Sequence, residues 1–337
     1  MVCPLKKKFA STERLGNVEG MRRPRLKVKG EGFYHVVSRI GGKRFLIDDR
    51  EKGILLGMIR AAAGFSGVDV YTYTLMDNHF HLLVRVPERV EVPDGELIRR
   101  IRLLYGQERS AKLFEQWEKW ERAGNGKRVE DAKTRLRSRM YDLSQFVKTF
   151  KEAYTQDYNR RHDNTGTIWE GRFKSILVEG SYRALMTVGG YIHLNPVRAE
   201  VVEEPEQAQN TGYGAACCGD AVAKRGIETL VSRAFGNETT SWSAARDACR
   251  EVMDGALAKD ADAPPEEESQ TEDSWPFQEL LRHRHTSFLH GGALGHKGFL
   301  RDIDGLLPPR LRRRSEGLLD HCTGLGLTSA LGVREAS

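Results

Sequence analysis

Four short stretches carry the apolar alternation or composition of strands, and several longer ones carry the 3.6-residue spacing of helices. Residues 32–39 (GFYHVVSR) and 68–75, rich in Val, Tyr and Thr, read as two strands. In 79–86 (HFHLLVRV), Phe80, Leu82 and Val84 point to one face and His79 and His81 to the other, with Asp77-Asn78 as the tight turn before them. Residues 173–179 read as a fourth strand. A helix is expected over 49–63, where Ile54, Leu55, Met58 and Ile59 share a face. Another is expected from Asp94 to about Leu104, and a third over 143–161 with Phe146, Val147, Phe150 and Tyr154 as its apolar stripe. Ser181 caps a further helix that runs from 182 to 195 and is stopped by Pro196. The order strand, helix, strand, strand, helix, strand, helix is the ferredoxin-like split βαβ arrangement. The expected class is therefore α+β, an antiparallel sheet with helices on one face.

Outside that pattern the chain divides by composition. Residues 1–30 form a flexible basic arm, with Lys6-Lys7-Lys8 and Arg22-Arg23-Pro24-Arg25. The main domain spans 31–213 and contains a charge-dense insertion, 106–140, whose Gly-Asn-Gly break at 124–126 predicts a helical hairpin. A helical accessory region is expected over 214–258, with a helix over 241–257. An acidic linker over 259–275 follows, then a mainly helical accessory region over 276–337 that includes a helix over 277–284 and the cluster Arg310, Arg312, Arg313 and Arg314.

Charge changes the picture. The chain of 337 residues has 53 Lys+Arg against 47 Asp+Glu, yet residues 1–200 hold 38 and 25 of these, and residues 201–337 only 15 and 22. A front part of +13 and a later part of −7 suit a polyanion partner at the front, most simply nucleic acid. Five cysteines, odd in number and without Cys-x-x-Cys spacing, read as reduced thiols. No apolar run approaches the roughly 20 residues needed to span a bilayer, so no membrane partner and a cytoplasmic location are expected.

The candidate chemistry lies in two stretches. His79 and His81, two imidazoles on one sheet face, make a bidentate metal site that needs one more ligand; a pair of hydrogen-bonded surface histidines is the plain alternative. In 189–198 (GGYIHLNPVR), Tyr191 and Asn195 are four apart on a helix and share a face, while Leu185, Val188 and Ile192 point elsewhere. An amide oxygen and a phenol near two histidines give a metal its third ligand and a nucleophile alongside. The alternative makes Tyr191 a core residue and Asn195 a helix cap. Gly189-Gly190 before Tyr191 either loosens the helix or serves close packing.

Taken in order, Tyr34-His35-Val36 with Arg39, Met76-x-Asn78-His79-x-His81-Leu82-Leu83, Tyr158-Asn159-Arg160-Arg161, residues 166–175 (GTIWEGRFKS) and residues 191–198 resemble the REP-associated branch of the single-tyrosine HUH transposases, the insertion-sequence-200 type. The resemblance covers roughly residues 24–213. It implies a nuclease and strand transferase for single-stranded or hairpin DNA that uses a divalent metal, Mg²⁺ or Mn²⁺. By position, it makes His79, His81 and Asn195 the metal ligands and Tyr191 the nucleophile that forms a 5′-phosphotyrosine link. Arg160, Arg161, Arg172, Lys174 and Arg198 are candidate DNA contacts, and Trp169 is either a base-stacking platform or a packing anchor. His35 and His193 stay outside the ligand set. A hairpin-DNA-binding protein that does not cut, and a water-using metal phosphodiesterase, are the rival readings.

Overall fold

The computed structural model describes residues 26–257 and 292–305. The basic arm up to Arg25, the acidic linker, the helix expected over 277–284 and the Arg310 cluster lie outside these described residues. Strands β1 (Gly32–Arg39), β2 (Asp69–Met76), β3 (His79–Val86) and β4 (Lys174–Val178) form one sheet, joined at its edge by β5 (Ala293–Leu294). The order is β2-β3-β1-β4-β5, antiparallel throughout except for the β4–β5 pair. The first four strands thus have the ferredoxin-like order read from the sequence, and the class is α+β.

Local chemistry sets the helices. Asp48 opens α1 (Asp49–Ser66) by accepting the Glu51 amide at 2.8 Å, and Gly67 closes it in the left-handed region at φ 70°. Asp142 opens α4 (Leu143–Arg161) by accepting the Gln145 amide at 2.9 Å. Both helices cover the sheet face of Phe80, Leu82 and Val84; the Phe80 ring meets Phe150 edge-on at 5.6 Å and Trp169 at 5.7 Å. These are the two helices of the split βαβ unit, on one face as expected.

The opposite face, that of His79 and His81, carries α5 (Tyr182–His193) and, against β2, α8 (Ala221–Phe235), with α9 (Trp242–Leu257) packed on both helices. So the one-face expectation holds for α1 and α4, and later helices cover the second face. Helix α8 comes close to β2 because Gly226 has no side chain: a Cβ there would lie 2.6 Å from the Tyr71 carbonyl oxygen. Pro196 does not end the helical path. It occupies the first turn of a short α6 (Asn195–Arg198), where its missing N–H costs nothing. A further short helix, α7 (Gly212–Cys217), precedes α8.

The insertion is a helical hairpin of α2 (Asp94–Arg122) and α3 (Gly126–Ser138). Helix α2 was expected to end near Leu104, but it continues beyond a kink at Gly106 (φ 72°, ψ 175°) because Trp117 joins Val129, Phe65, Leu97 and Ile101 in a second small core. Helix α10 (Lys297–Gly305) follows β5. No helix among the described residues is long and apolar enough to cross a membrane.

Candidate functional site

The pairing register decides which side chains meet. On β1, His35, Val37 and Arg39 share a face, because side chains alternate along a strand. Their partners are Leu83, His81 and His79 on β3, and Val37 also pairs with Lys174 on β4. One end of this face therefore gathers His79, His81, His35, Arg39 and Lys174. Helix α5 lies over it and presents Tyr191, whose ring stands edge-on to both His81 (5.7 Å, 76°) and His35 (5.7 Å, 72°).

The histidines are held at defined atoms. His79 Nδ1 lies 2.6 Å from Asn78 Oδ1, an oxygen that only accepts, so Nδ1 carries the proton and Nε2 keeps its lone pair. His81 Nδ1 and His35 Nε2 share a hydrogen bond of 2.9 Å, with the two rings stacked at 5.1 Å. The rings of His79 and His81 are 5.1 Å apart and nearly perpendicular. Burial, and then the Arg39 charge, push His79 down to about 4; burial and the neighbouring His35 push His81 well below its ordinary value. Both are neutral at pH 7. Neutral imidazoles are the donor chemistry a divalent cation takes, so this pair fits such a group.

Asn195 is arranged differently. Its amide nitrogen donates to the Tyr191 carbonyl at 2.8 Å, a bond within the helix turn that leaves Oδ1 as its remaining donor atom toward a metal. Gly189 is buried, and a Cβ there would meet Leu230 Cδ2 at 3.2 Å, so close packing of α5 on α8 accounts for the small residue. His193 faces away from the histidine cluster and meets Thr72 Oγ1 at 2.7 Å; burial pushes it down to about 3.

The remaining candidates scatter. Lys174 lies in the cluster, its ammonium pushed down by burial and then by Arg39. Arg172 is exposed just before β4, and Arg198 is half-buried on α6. Arg160 and Arg161 sit at the end of α4, which packs on the other sheet face. Arg160 pairs with Asp157, and Arg161 with both Asp157 and the buried Glu51. Trp169 is 6% exposed, and its Nε1 donates to Thr155 Oγ1 at 2.9 Å. Of the two roles considered for Trp169, the structure has the packing anchor; a buried ring offers no face for a base.

Two residues of the cluster, Arg39 and His35, received no role from the sequence. Period-two spacing on β1 links them to each other, but only the β1–β3 register brings them beside His79 and His81. The Arg39 side chain is exposed and enters no ion pair among the described residues.

Comparison with known proteins places the segment that bears the histidines. Residues 30–122 match the family model described as "Transposase IS200 like". The match includes β1 to β3, and ends before β4 and the tyrosine helix. A solved structure of a REP-associated tyrosine transposase bound to a REP hairpin is similar at 13% identity and a TM-score of 0.40, over 67% of this chain and 96% of that one. A search of curated proteins found no match.

Proposed function

We propose that this chain, whose residues 30–122 match the IS200-like transposase model, cuts and rejoins single-stranded, hairpin-associated DNA through a covalent bond to Tyr191. The observation that carries the proposal is Tyr191 standing edge-on over His81, on the sheet face where His79, Arg39 and Lys174 converge.

In this reading the Tyr191 hydroxyl oxygen attacks the scissile phosphorus and releases its proton to solvent. The bond from phosphorus to the 3′-oxygen breaks, and that oxygen leaves as a 3′-hydroxyl after taking a proton. The 5′-phosphate remains on Tyr191. A phenolate is a good leaving group, its phenol having a pKa of about 10, so a later 3′-hydroxyl reverses the step and joins strands. Arg39 and Lys174 neutralise the phosphate oxygens and hold the strand across the sheet end. His79, His81 and Asn195 would hold a divalent cation, Mg²⁺ or Mn²⁺, which when bound supplies Lewis-acid charge at the phosphoryl oxygen. Tyr154 and Tyr158, the competing phenols on α4, pack with Trp169 and His162 away from the cluster.

The test uses end-labelled single-stranded DNA with hairpins from the gene's own flanks. Incubation with Mn²⁺ is expected to give shortened product and a protein–DNA adduct stable to denaturant. Binding without product would favour the non-cutting binder. Product without adduct would favour a water-using phosphodiesterase.

A further inference from the structure

We propose that His35 is a positioning residue that fixes the tautomer and orientation of His81, so that His81 Nε2 is the atom presented to the metal; this rests on the metal reading of the preceding subsection. His35 is wholly buried on β1, its ring stacks on His81 at an interplanar angle of 19°, and its Nε2 is 2.9 Å from His81 Nδ1. One proton lies between those two nitrogens. If His81 donates it, the His81 lone pair is on Nε2. If His35 donates it, the His81 lone pair is used at Nδ1 and His81 Nε2 carries a proton, which bars ligation.

The neighbouring ligand candidate supports the first arrangement. His79 has the proton on Nδ1, given to Asn78 Oδ1, and its Nε2 is open. A metal-bound histidine commonly gives its other N–H to an acceptor, usually a carboxylate, a carbonyl or water, which sets both tautomer and ring angle. At His79 that acceptor is an amide oxygen; at His81 it is the neutral imidazole of His35. The near-parallel ring planes, 19° apart, add a second constraint, since turning either ring about its Cβ–Cγ bond breaks the in-plane hydrogen bond. His35 also meets the edge of Tyr191 at 5.7 Å, so one side chain sets the spacing between the histidine and the phenol.

Two measurements test this on the full-length protein. In the metal-free wild type, ¹⁵N-histidine NMR is expected to show His81 protonated at Nδ1 and bare at Nε2. The reverse assignment overturns the inference. Mn²⁺ binding, followed by the loss of free-ion EPR signal, is then compared in wild type, His35→Leu and His35→Gln. The leucine variant is expected to bind Mn²⁺ about 10–100-fold more weakly. The glutamine variant, whose amide oxygen accepts as His35 Nε2 does, recovers most of that loss. Tight Mn²⁺ binding in wild type with unchanged affinity in His35→Leu overturns the role of His35 and leaves the metal reading standing. No Mn²⁺ binding in wild type overturns both. Should His35→Leu fail to fold, the wild-type NMR assignment and the glutamine variant still decide.

Discussion

Replacing Glu51 with Gln tests how the two helices beneath the site are locked together. Glu51 lies on α1 with a residue exposure of 2%, and its carboxylate accepts from Tyr154 Oη at 2.9 Å and from both terminal nitrogens of Arg161 on α4. His162 Nε2 adds a contact at 3.0 Å. Burial alone would raise this carboxyl, but the donors from Arg161, His162 and Tyr154 outweigh it and bring it from 4.5 down to about 2. At about 1.4 kcal/mol per pH unit, that displacement corresponds to roughly 3 kcal/mol of stability. Arg161 keeps Asp157 as a second partner at 2.7 Å, so the cost of Glu51→Gln is expected at about 2–3 kcal/mol, the low side of a broken buried pair. In a unit of this size, that lowers Tm by roughly 5–10 °C. The sign follows from the depressed carboxyl: the stabilisation is complete above pH 4.5 and is lost as the pH falls to about 2. Thermal and guanidinium melts of both proteins at pH 7 and pH 3 are therefore expected to show a gap that shrinks by about half or more at pH 3. A gap that is the same at both pH values, or a Tm within about 1 °C of wild type at pH 7, would refute the reasoning.

Three further outcomes follow from the same structure. Gly226→Ala places a Cβ 2.6 Å from the Tyr71 carbonyl oxygen and 3.1 Å from that of Val70, so α8 must lift from β2; a loss of about 1–3 kcal/mol is expected in denaturant melts. Arg39→Gln removes a cation from the site without touching the core, and DNA binding is expected to weaken across all sequences, with the salt slope reduced by about 1 in a titration of log affinity against log salt. Chelation of divalent ions is expected to stop cleavage and leave hairpin-DNA retention in a gel shift intact; retention lost on chelation would make the metal part of binding.

The strands were legible because their chemistry is local. Alternation around Phe80, Leu82 and Val84, with the Asp77-Asn78 turn, marks β3 to the residue, and the Phe146–Tyr154 stripe marks α4 from Leu143 to Arg161. Helix α8 falls in the region expected to be helical, but its bounds went unread although Ala223, Ile227, Leu230 and Ala234 recur at helical spacing. Lys224, Arg225 and Gly226 interrupt its start, and Gly226 makes sense only once β2 lies against it. Pro196 misled in a similar way, since a proline that cannot sit inside a helix is well placed in the first turn of the next one. At the site, strand period put His79 beside His81 and helix period put Tyr191 beside Asn195, while the resemblance to the transposases joined the two pairs. The places of His35 and Arg39 depend on register between β1 and β3, where Arg39 pairs with His79 far along the chain, which no local pattern carries. The commitment of Arg161 to Glu51 is hidden for the same reason: it spans 110 positions of the chain.

The central claim is that Tyr191 is the nucleophile. The most direct measurement is denaturing-gel trapping of labelled single-stranded DNA with Mn²⁺, comparing wild type with Tyr191→Phe, Tyr154→Phe and Tyr158→Phe. Phenylalanine keeps the ring that packs against His35 and His81 but offers no atom to attack phosphorus, so fold and DNA affinity stay near wild type while the adduct disappears. The two α4 variants are expected to retain it. An adduct that survives Tyr191→Phe and vanishes with Tyr158→Phe would contradict the account and move the chemistry to the other side of the sheet.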